Sequence, residues 1–230
     1  MAFPLRPHYL PAAMLEVTRL SKSYKIPRGT LLVLREVSLR VAAGESVALT
    51  GESGSGKSTL LHLIAGLDDP DSGEIMLDGV ALSSLSESGR ALLRRDRLGL
   101  VFQQFNLIPS LTIADNLAFQ ARIAGRFDRA WQGELAARLG LADLLDRYPE
   151  QLSGGQQQRV AIGRALAVRP AFLLADEPTG NVDETMADEI VRMMRDLVTD
   201  SGCGLLMVTH STRLAGLLDR VVHLSAGRLS

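Results

Sequence analysis

Short apolar segments alternate with amphipathic segments along most of this chain. Alternation of apolar and polar residues predicts two early strands, and short continuous apolar runs predict buried strands further on. Segments with apolar residues at helical spacing separate these runs. The predicted strands are MLEVTRL, LLVLREVSLRV, SVALT, GEIMLDG, LGLVFQ, AFLLAD, GLLMVT and RVVHLSAG. Strands that alternate with helices indicate an α/β protein with a mainly parallel sheet.

The pattern changes between Pro109 and Tyr148, where helical spacing continues without an intervening strand. We therefore predict a helical subdomain inserted at about 104–168, and an antiparallel β subdomain from the N-terminal strands. The predicted domain covers residues 14–230. Residues 1–13 carry three prolines and no patterned segment, so they are expected to be a disordered extension. The predicted helices of the insertion are LTIADNLAFQARIAG, RAWQGELAARLG, LADLLDRY and one that begins after Ser153.

Composition narrows the class of protein. The 230 residues are 46% hydrophobic and 22% charged, so a sizeable core is expected. A net charge of −1 argues against a sequence-independent grip on nucleic acid, and no nucleic-acid partner is expected. Cys203, the one cysteine, cannot form an internal disulfide. No apolar run approaches the ~18 residues that span a bilayer, so we expect a soluble cytoplasmic protein.

The segment GESGSGKST fits the phosphate-loop pattern G-x-x-x-x-G-K-[ST] and lies between a predicted strand and a predicted helix. Its glycines let backbone N–H groups wrap around phosphates. Lys57 supplies a positive charge for the β- and γ-phosphates, and Ser58 a hydroxyl ligand for Mg²⁺. The predicted nucleotide-binding residues here are Gly51, Glu52, Ser53, Gly54, Ser55, Gly56, Lys57, Ser58 and Thr59.

Polar side chains follow three further apolar strands. Asp176 and Glu177 end AFLLADEP, and we predict that Asp176 holds Mg²⁺ while Glu177 accepts a proton from an attacking water. A glutamate base favours hydrolysis of ATP over transfer to a small-molecule acceptor. His210 ends another strand, where ligands of α/β sheets bind, and is a candidate γ-phosphate contact. Gln103 ends LGLVFQ and is unremarkable by itself.

A second anion site is predicted where Ser153, Gly154 and Gly155 open a helix with free backbone N–H groups. One nucleotide does not need two such sites. The sequence around it, LSGGQ (Leu152–Gln156), matches the signature of ATP-binding cassette (ABC) ATPases in full and stands between the phosphate loop and the acidic strand, as in that family. The chain from about residue 14 to residue 230 resembles this family, which implies a P-loop NTPase core.

The resemblance implies further roles, residue by residue. Tyr24 resembles the aromatic residue that stacks on adenine. Gln103 resembles the glutamine that approaches Mg²⁺ and the attacking water, although the adjacent Gln104 makes that register ambiguous. Asp183 resembles the aspartate that crosses to the opposite subunit, with Val182 in place of the more usual leucine. In the family, the signature covers ATP held by another copy, which implies contacts from Ser153, Gly154, Gly155 and Gln156.

These implied roles favour a head-to-tail dimer with two shared ATP sites. They also imply a separate membrane permease, hence a peripheral location on the cytoplasmic face of the inner membrane. DEPTGNVD and FNLIPSLTIADNL are similar to the lipoprotein-release and macrolide-export branch. A regulatory ATPase that signals through a membrane partner, as in the cell-division relatives, is an alternative. A soluble ABC protein that acts on ribosomes or DNA is a third, disfavoured because this chain has one cassette and no long heptad run. Four arginines, Arg90, Arg94, Arg95 and Arg97, are expected to form a solvated helix face or to contact headgroups or a partner.

Overall fold

The computed structural model describes residues 15–27 and 29–230, so the extension predicted for residues 1–13 lies outside the described residues. Four strands near the N-terminus form an antiparallel sheet with the order β2-β1-β4-β5. This sheet is the predicted antiparallel β subdomain. Its strands are β1 (Leu15–Ile26), β2 (Gly29–Val41), β4 (Ser72–Leu77) and β5 (Val80–Ala81).

A second sheet of six strands forms the centre of the molecule, with the order β10-β9-β3-β8-β7-β6. All neighbours pair in parallel except β9 and β10, which are antiparallel. Every residue of β3 and β8 is buried, as expected for strands covered on both faces. The strands are β3 (Ser46–Thr50), β6 (Leu98–Val101), β7 (Phe172–Asp176), β8 (Gly204–Val208), β9 (Arg220–Ser225) and β10 (Arg228–Leu229).

Two hydrophobic clusters cover the two faces of the central sheet. Phe172 and Leu174 of β7 face a cluster shared with the antiparallel sheet and the first helix. Leu173 and Ala175 face the other cluster, built with helices of the insertion and the helix after β7. The helices are α1 (Lys57–Ile64), α2 (Glu87–Arg97), α3 (Ile113–Ile123), α4 (Arg129–Arg138), α5 (Gly154–Leu166), α6 (Glu184–Ser201) and α7 (Thr212–Ala215).

The predicted α/β architecture is confirmed: within the described chain, only helical elements lie between β6 and β7. The limits 104–168 for the insertion stay a prediction. The helix predicted over LADLLDRY is wrong, because this segment contains only a short 3-10 turn, Ala142–Leu144. The carbonyls of Leu145 and Arg147 instead accept the amides of Ala114 and Ile113. The first amides of a helix lack partners within it. The hydrogen bonds that cap α3 therefore outweigh those that would extend the 3-10 turn into a helix.

Candidate functional site

In the loop between β3 and α1, backbone carbonyls hold the Lys57 side chain. The Lys57 ammonium donates hydrogen bonds to the carbonyls of Gly51 at 2.7 Å and Glu52 at 2.8 Å. Gly56 caps α1 in a left-handed conformation with φ of 106°. Gly51 has φ of 148°, and a Cβ there would lie 2.2 Å from the carbonyl oxygen of Leu224. Both positions therefore require glycine.

This loop borders a cavity of about 480 Å³. The first turn of α1 contains no acidic residue, so the positive end of the helix is not neutralised within its first turn. Among the described residues, the Ser55 hydroxyl is buried without a hydrogen-bond partner. These features suit a multiply charged anion such as a nucleotide phosphate chain. The cavity is lined by Val33, Ser53, Gly54, Gly56, Lys57, Ser58, Thr59, Glu177 and His210.

The carboxyl ends of β7 and β8 bring two predicted catalytic side chains into contact. A carboxylate oxygen of Glu177, Oε2, lies 2.6 Å from Nδ1 of His210. Asp176 is the last residue of β7 and pairs with Val208 of β8. Glu177 has a positive φ of 49°, in a region that non-glycine residues rarely adopt. Such strain at a strand end in a polar cavity is typical of a functional position.

Gln103 is held next to the loop that follows Glu177, and is not among the residues that line the cavity. The Asn181 side chain donates a hydrogen bond to the Gln103 carbonyl at 2.8 Å. A Cβ on Gly180 would lie 2.7 Å from Nε2 of Gln103, so the two residues are in close contact. The glutamine side chain thus packs on the segment that leads to Asp183.

The signature residues likewise lie outside the cavity lining of their own chain. Ser153 caps α5 by accepting the amide of Gln156, and the Gln156 side chain accepts the amide of Ser153 at 2.9 Å. A Cβ on Gly155 would lie 2.7 Å from the Met186 side chain, so α5 starts close against α6. Asp183 caps α6, with Oδ1 accepting the Met186 amide at 3.0 Å. The predicted trans-acting residues therefore form one group, separate from the phosphate loop.

Tyr24 lies on β1 and is also absent from the cavity lining. Its hydroxyl donates a hydrogen bond to Oδ2 of Asp68 at 2.8 Å. Burial and this hydrogen bond raise the pKa of the phenol, while hydrogen bonding with Thr59 acts in the opposite direction. Since Thr59 lines the cavity, the Tyr24 hydroxyl lies near the edge of the phosphate site.

The sequence did not single out Val33, which lines the cavity, or Arg164, which contacts the loop after β6. Val33 of β2 lines the cavity, and nothing in its alternating strand distinguishes it. Arg164 of α5 donates hydrogen bonds to the carbonyls of Asn106 at 2.6 Å and Phe105 at 3.0 Å. Burial lowers the pKa of Arg164. A charge within the apolar run VAIGRALAV was the available signal, because a buried arginine must find acceptors.

The α2 arginines are paired with acids of the same chain rather than forming a free cationic face. Arg90 contacts Asp69, and Arg94 lies 2.9 Å from Glu87. Both arginine side chains are only 19% exposed. Arg95 pairs with Asp96 and Arg97 with Asp78. Whether these arginines also contact headgroups or a partner stays a prediction, and two of their partners, Asp69 and Asp78, lie outside α2.

Comparison with known proteins decides the family. A family model described as ABC transporter matches residues 34–180. This chain belongs to the ABC transporter family. It is similar to a lipoprotein-releasing system ATP-binding protein, LolD 1, of Rhodospirillum rubrum, with 44% identity over 96% of this chain and 99% of that protein. It is 46% identical to the uncharacterized ABC transporter ATP-binding protein YbbA of Escherichia coli K12, over 94% of this chain and 96% of the relative.

A solved structure supports the same assignment. The ATP-binding cassette MJ0796, in a dimeric post-hydrolysis state bound to ADP and Pi, matches with a TM-score of 0.84 and 36% identity. The match covers 94% of this chain and 96% of that chain. The cassette described here is thus an ATPase, and the family resemblance inferred from its motifs is confirmed. Among the residues that the structure describes, no helix has the length and apolar character to cross a bilayer.

Proposed function

We propose that this cassette hydrolyses ATP as a head-to-tail dimer and thereby drives a separate membrane permease. The observation that carries the proposal is the separation of Ser153 and its neighbours from the phosphate cavity of their own chain. A helix N-terminus with free N–H groups favours a negatively charged ligand. A second copy, placed by two-fold symmetry, would set that N-terminus against the γ-phosphate in the first copy's phosphate loop.

Within each shared site, the residues divide by their chemistry. Lys57 and the loop amides bind the phosphates, and Tyr24 stacks on the base. Ser58, which lines the cavity, and Asp176 supply oxygen ligands of the kind that Mg²⁺ prefers. Gln103 is proposed as a further ligand and would need to move toward the cavity. Bound Mg²⁺ would neutralise the negative charge that builds up on the phosphates.

The hydrolytic step depends on the pair formed by Glu177 and His210. The Glu177 carboxylate takes a proton from water as the water attacks the γ-phosphate. His210, hydrogen-bonded to Glu177 through Nδ1, orients that carboxylate and presents its exposed ring toward the γ-phosphate. Because ATP contacts both copies, hydrolysis weakens the dimer. The resulting shift from the closed dimer to separated cassettes can do work on an attached permease.

The relatives support a partner and a location for the cassette. Relatives named for lipoprotein release, such as LolD 1, support a permease that extracts or exports lipoprotein or another hydrophobic cargo. The cassette would then sit at the cytoplasmic face of the inner membrane. Purification in mild detergent with a tagged cassette would identify the permease by its co-elution.

A mixing experiment tests the shared site. Lys57→Ala disables the phosphate loop, and Ser153→Arg disables the signature. Each variant alone should show near-background hydrolysis. A heterodimer of the two combines one intact loop with one intact signature, so a 1:1 mixture should regain hydrolysis well above either variant.

Co-purification of two differently tagged wild-type copies after mixing serves as the control for exchange between dimers. Failure of the mixture to regain activity, with exchange demonstrated, would mean that Ser153 does not act across the interface. Ser153→Arg should also bind ATP as a monomer with near-normal affinity. Loss of that affinity would place the signature in its own chain's site.

A further inference from the structure

The orientation of the Tyr24 ring is restrained by Asp68, a residue outside β1. The residue is 38% exposed, so packing alone leaves its side-chain rotamers poorly restricted. The hydrogen bond from its hydroxyl to Asp68 at 2.8 Å supplies the missing restraint. The Lys22 ammonium lies 5.0 Å from the ring centroid and so occupies one face of the ring. A flat partner would therefore stack on the opposite face.

Asp68 is itself held by several groups. One carboxylate oxygen, Oδ1, accepts the Lys22 ammonium at 2.8 Å and the Asp69 amide at 2.7 Å. Lys22 is 8% exposed and donates a second bond to the Asp69 carbonyl at 2.6 Å. Because the other oxygen receives the Tyr24 hydroxyl, both carboxylate oxygens are engaged. Charge-assisted bonds of this kind are the strong ones, so the carboxylate is a rigid anchor.

The anchor is tied to the phosphate loop through α1. This helix starts at Lys57 of the loop, and Asp68 follows in the turn after its last residue, Ile64. Thr59, in the first turn of α1, lines the phosphate cavity and acts to lower the pKa of the Tyr24 phenol, so the phenol lies near this turn. Residues of the phosphate site thus lie at the N-terminus of α1, and Asp68, which restrains the Tyr24 ring, follows its C-terminus.

We propose that Asp68 is a positioning residue for the nucleobase, one that orients Tyr24 for stacking without touching the nucleotide. The inference rests on the proposed function, since it takes Tyr24 as the stacking platform. A ring that is already oriented loses less conformational freedom when the base binds, so ATP binds more tightly. The phosphates, which contact the loop directly, gain nothing from this restraint.

The test compares ATP with inorganic tripolyphosphate, which lacks a base. Asp68→Ala should raise the Kd for ATP about threefold to tenfold, the range expected for one lost hydrogen bond, while the Kd for tripolyphosphate stays unchanged. Tyr24→Phe, which keeps the ring and removes the hydroxyl, should give the same selective loss. The double variant should lose no more than either single variant, because both remove the same bond.

Asp69→Ala is the matched control, since it changes the same turn but leaves the Asp68–Tyr24 bond in place. It should leave both affinities at the wild-type level. Equal weakening of ATP and tripolyphosphate by Asp68→Ala would indicate a merely structural role and overturn the proposal. If Asp68→Ala does not fold, Tyr24→Phe decides alone: an unchanged ATP affinity overturns the proposal.

Tyr24→Ala separates this inference from the proposed function. If Tyr24→Ala selectively weakens ATP binding while Tyr24→Phe does not, stacking holds and positioning by Asp68 fails. If Tyr24→Ala leaves the ratio of the two affinities unchanged, the stacking role itself fails, and the positioning role fails with it.

Discussion

Glu177 and His210, which follow adjacent parallel strands, meet at 2.6 Å between Oε2 and Nδ1. The glutamate side chain is 25% exposed and the histidine 73%. The carboxylate is therefore sheltered at the base of the cavity, while the imidazole stands at its mouth. We therefore propose different roles for the two residues in hydrolysis, and each role leads to its own prediction.

Replacing Glu177 with glutamine keeps the size of the side chain and removes the proton acceptor. We expect Glu177→Gln to bind ATP normally and to lower kcat by about 100-fold or more, the usual contribution of a general base. The ATP-bound dimer should accumulate and elute early in size-exclusion chromatography with ATP and Mg²⁺. Turnover at the wild-type rate would remove Glu177 from the role of base.

His210→Ala should lower kcat by about tenfold or more and change the Kd for ATP much less. In the proposed site, the ring orients the carboxylate and approaches the γ-phosphate, whereas most binding contacts come from the phosphate loop. Steady-state kinetics together with equilibrium ATP titration measure the two effects. His62→Ala, on an exposed position of α1, is the matched control and should leave kcat unchanged. Comparable loss in both variants would argue against a specific role for His210.

Gly180→Ala should impair hydrolysis while leaving the fold intact. The added Cβ would lie 2.7 Å from Nε2 of Gln103, and the flexible glutamine side chain can move away at little cost. We expect a Tm within a few degrees of wild type and a clearly reduced kcat, because Gln103 is displaced. Unchanged kcat would mean that the packing of Gln103 against Gly180 is not needed for hydrolysis.

Gly133→Ala provides the comparison. A Cβ on Gly133 meets nothing within 4 Å and lies within α4, so this change should leave hydrolysis unaffected. It should raise the free energy of unfolding by about 0.5–1 kcal/mol through helix propensity.

The Cys203 thiol is predicted to be inert in the folded protein. Burial raises its pKa to about 12, so the reactive thiolate is scarce near neutral pH. Iodoacetamide at pH 8 should modify the protein only after addition of urea, as read by mass spectrometry. Rapid modification without urea would show that the thiol is accessible.

The same shift predicts a pH dependence of stability. Because the pKa of the Cys203 thiol is higher in the folded than in the unfolded protein, the thiol contributes stability that is fully present below the unfolded pKa near 9. This contribution is lost as the pH rises toward the folded pKa of about 12. Between pH 8 and pH 10, the wild type should lose about 1 kcal/mol more free energy of unfolding than Cys203→Ala. Urea titrations at both pH values measure the difference, and equal losses would contradict it.

Features encoded in short sequence segments were predictable, and features that join distant segments were not. The start of α5 at Ser153 was predicted, and the residue that completes its cap, Gln156, is only three positions away. Asp68 was missed because its bond to Tyr24 spans 44 positions, and Arg164 because its bond to Asn106 spans 58. LADLLDRY was mispredicted for the same reason, since hydrogen bonds to α3 overrode its helical spacing. Parallel strand ends, by contrast, placed Glu177 beside His210 as the fold class implies.

With Glu177 as the proposed base, its left-handed backbone makes stability and turnover favour different residues at one position. Holding a non-glycine residue there costs on the order of 1–3 kcal/mol, which Gly would recover. Optimisation of this protein for thermostability alone would therefore favour Glu177→Gly. That variant would be more stable and would lack the proposed catalytic base.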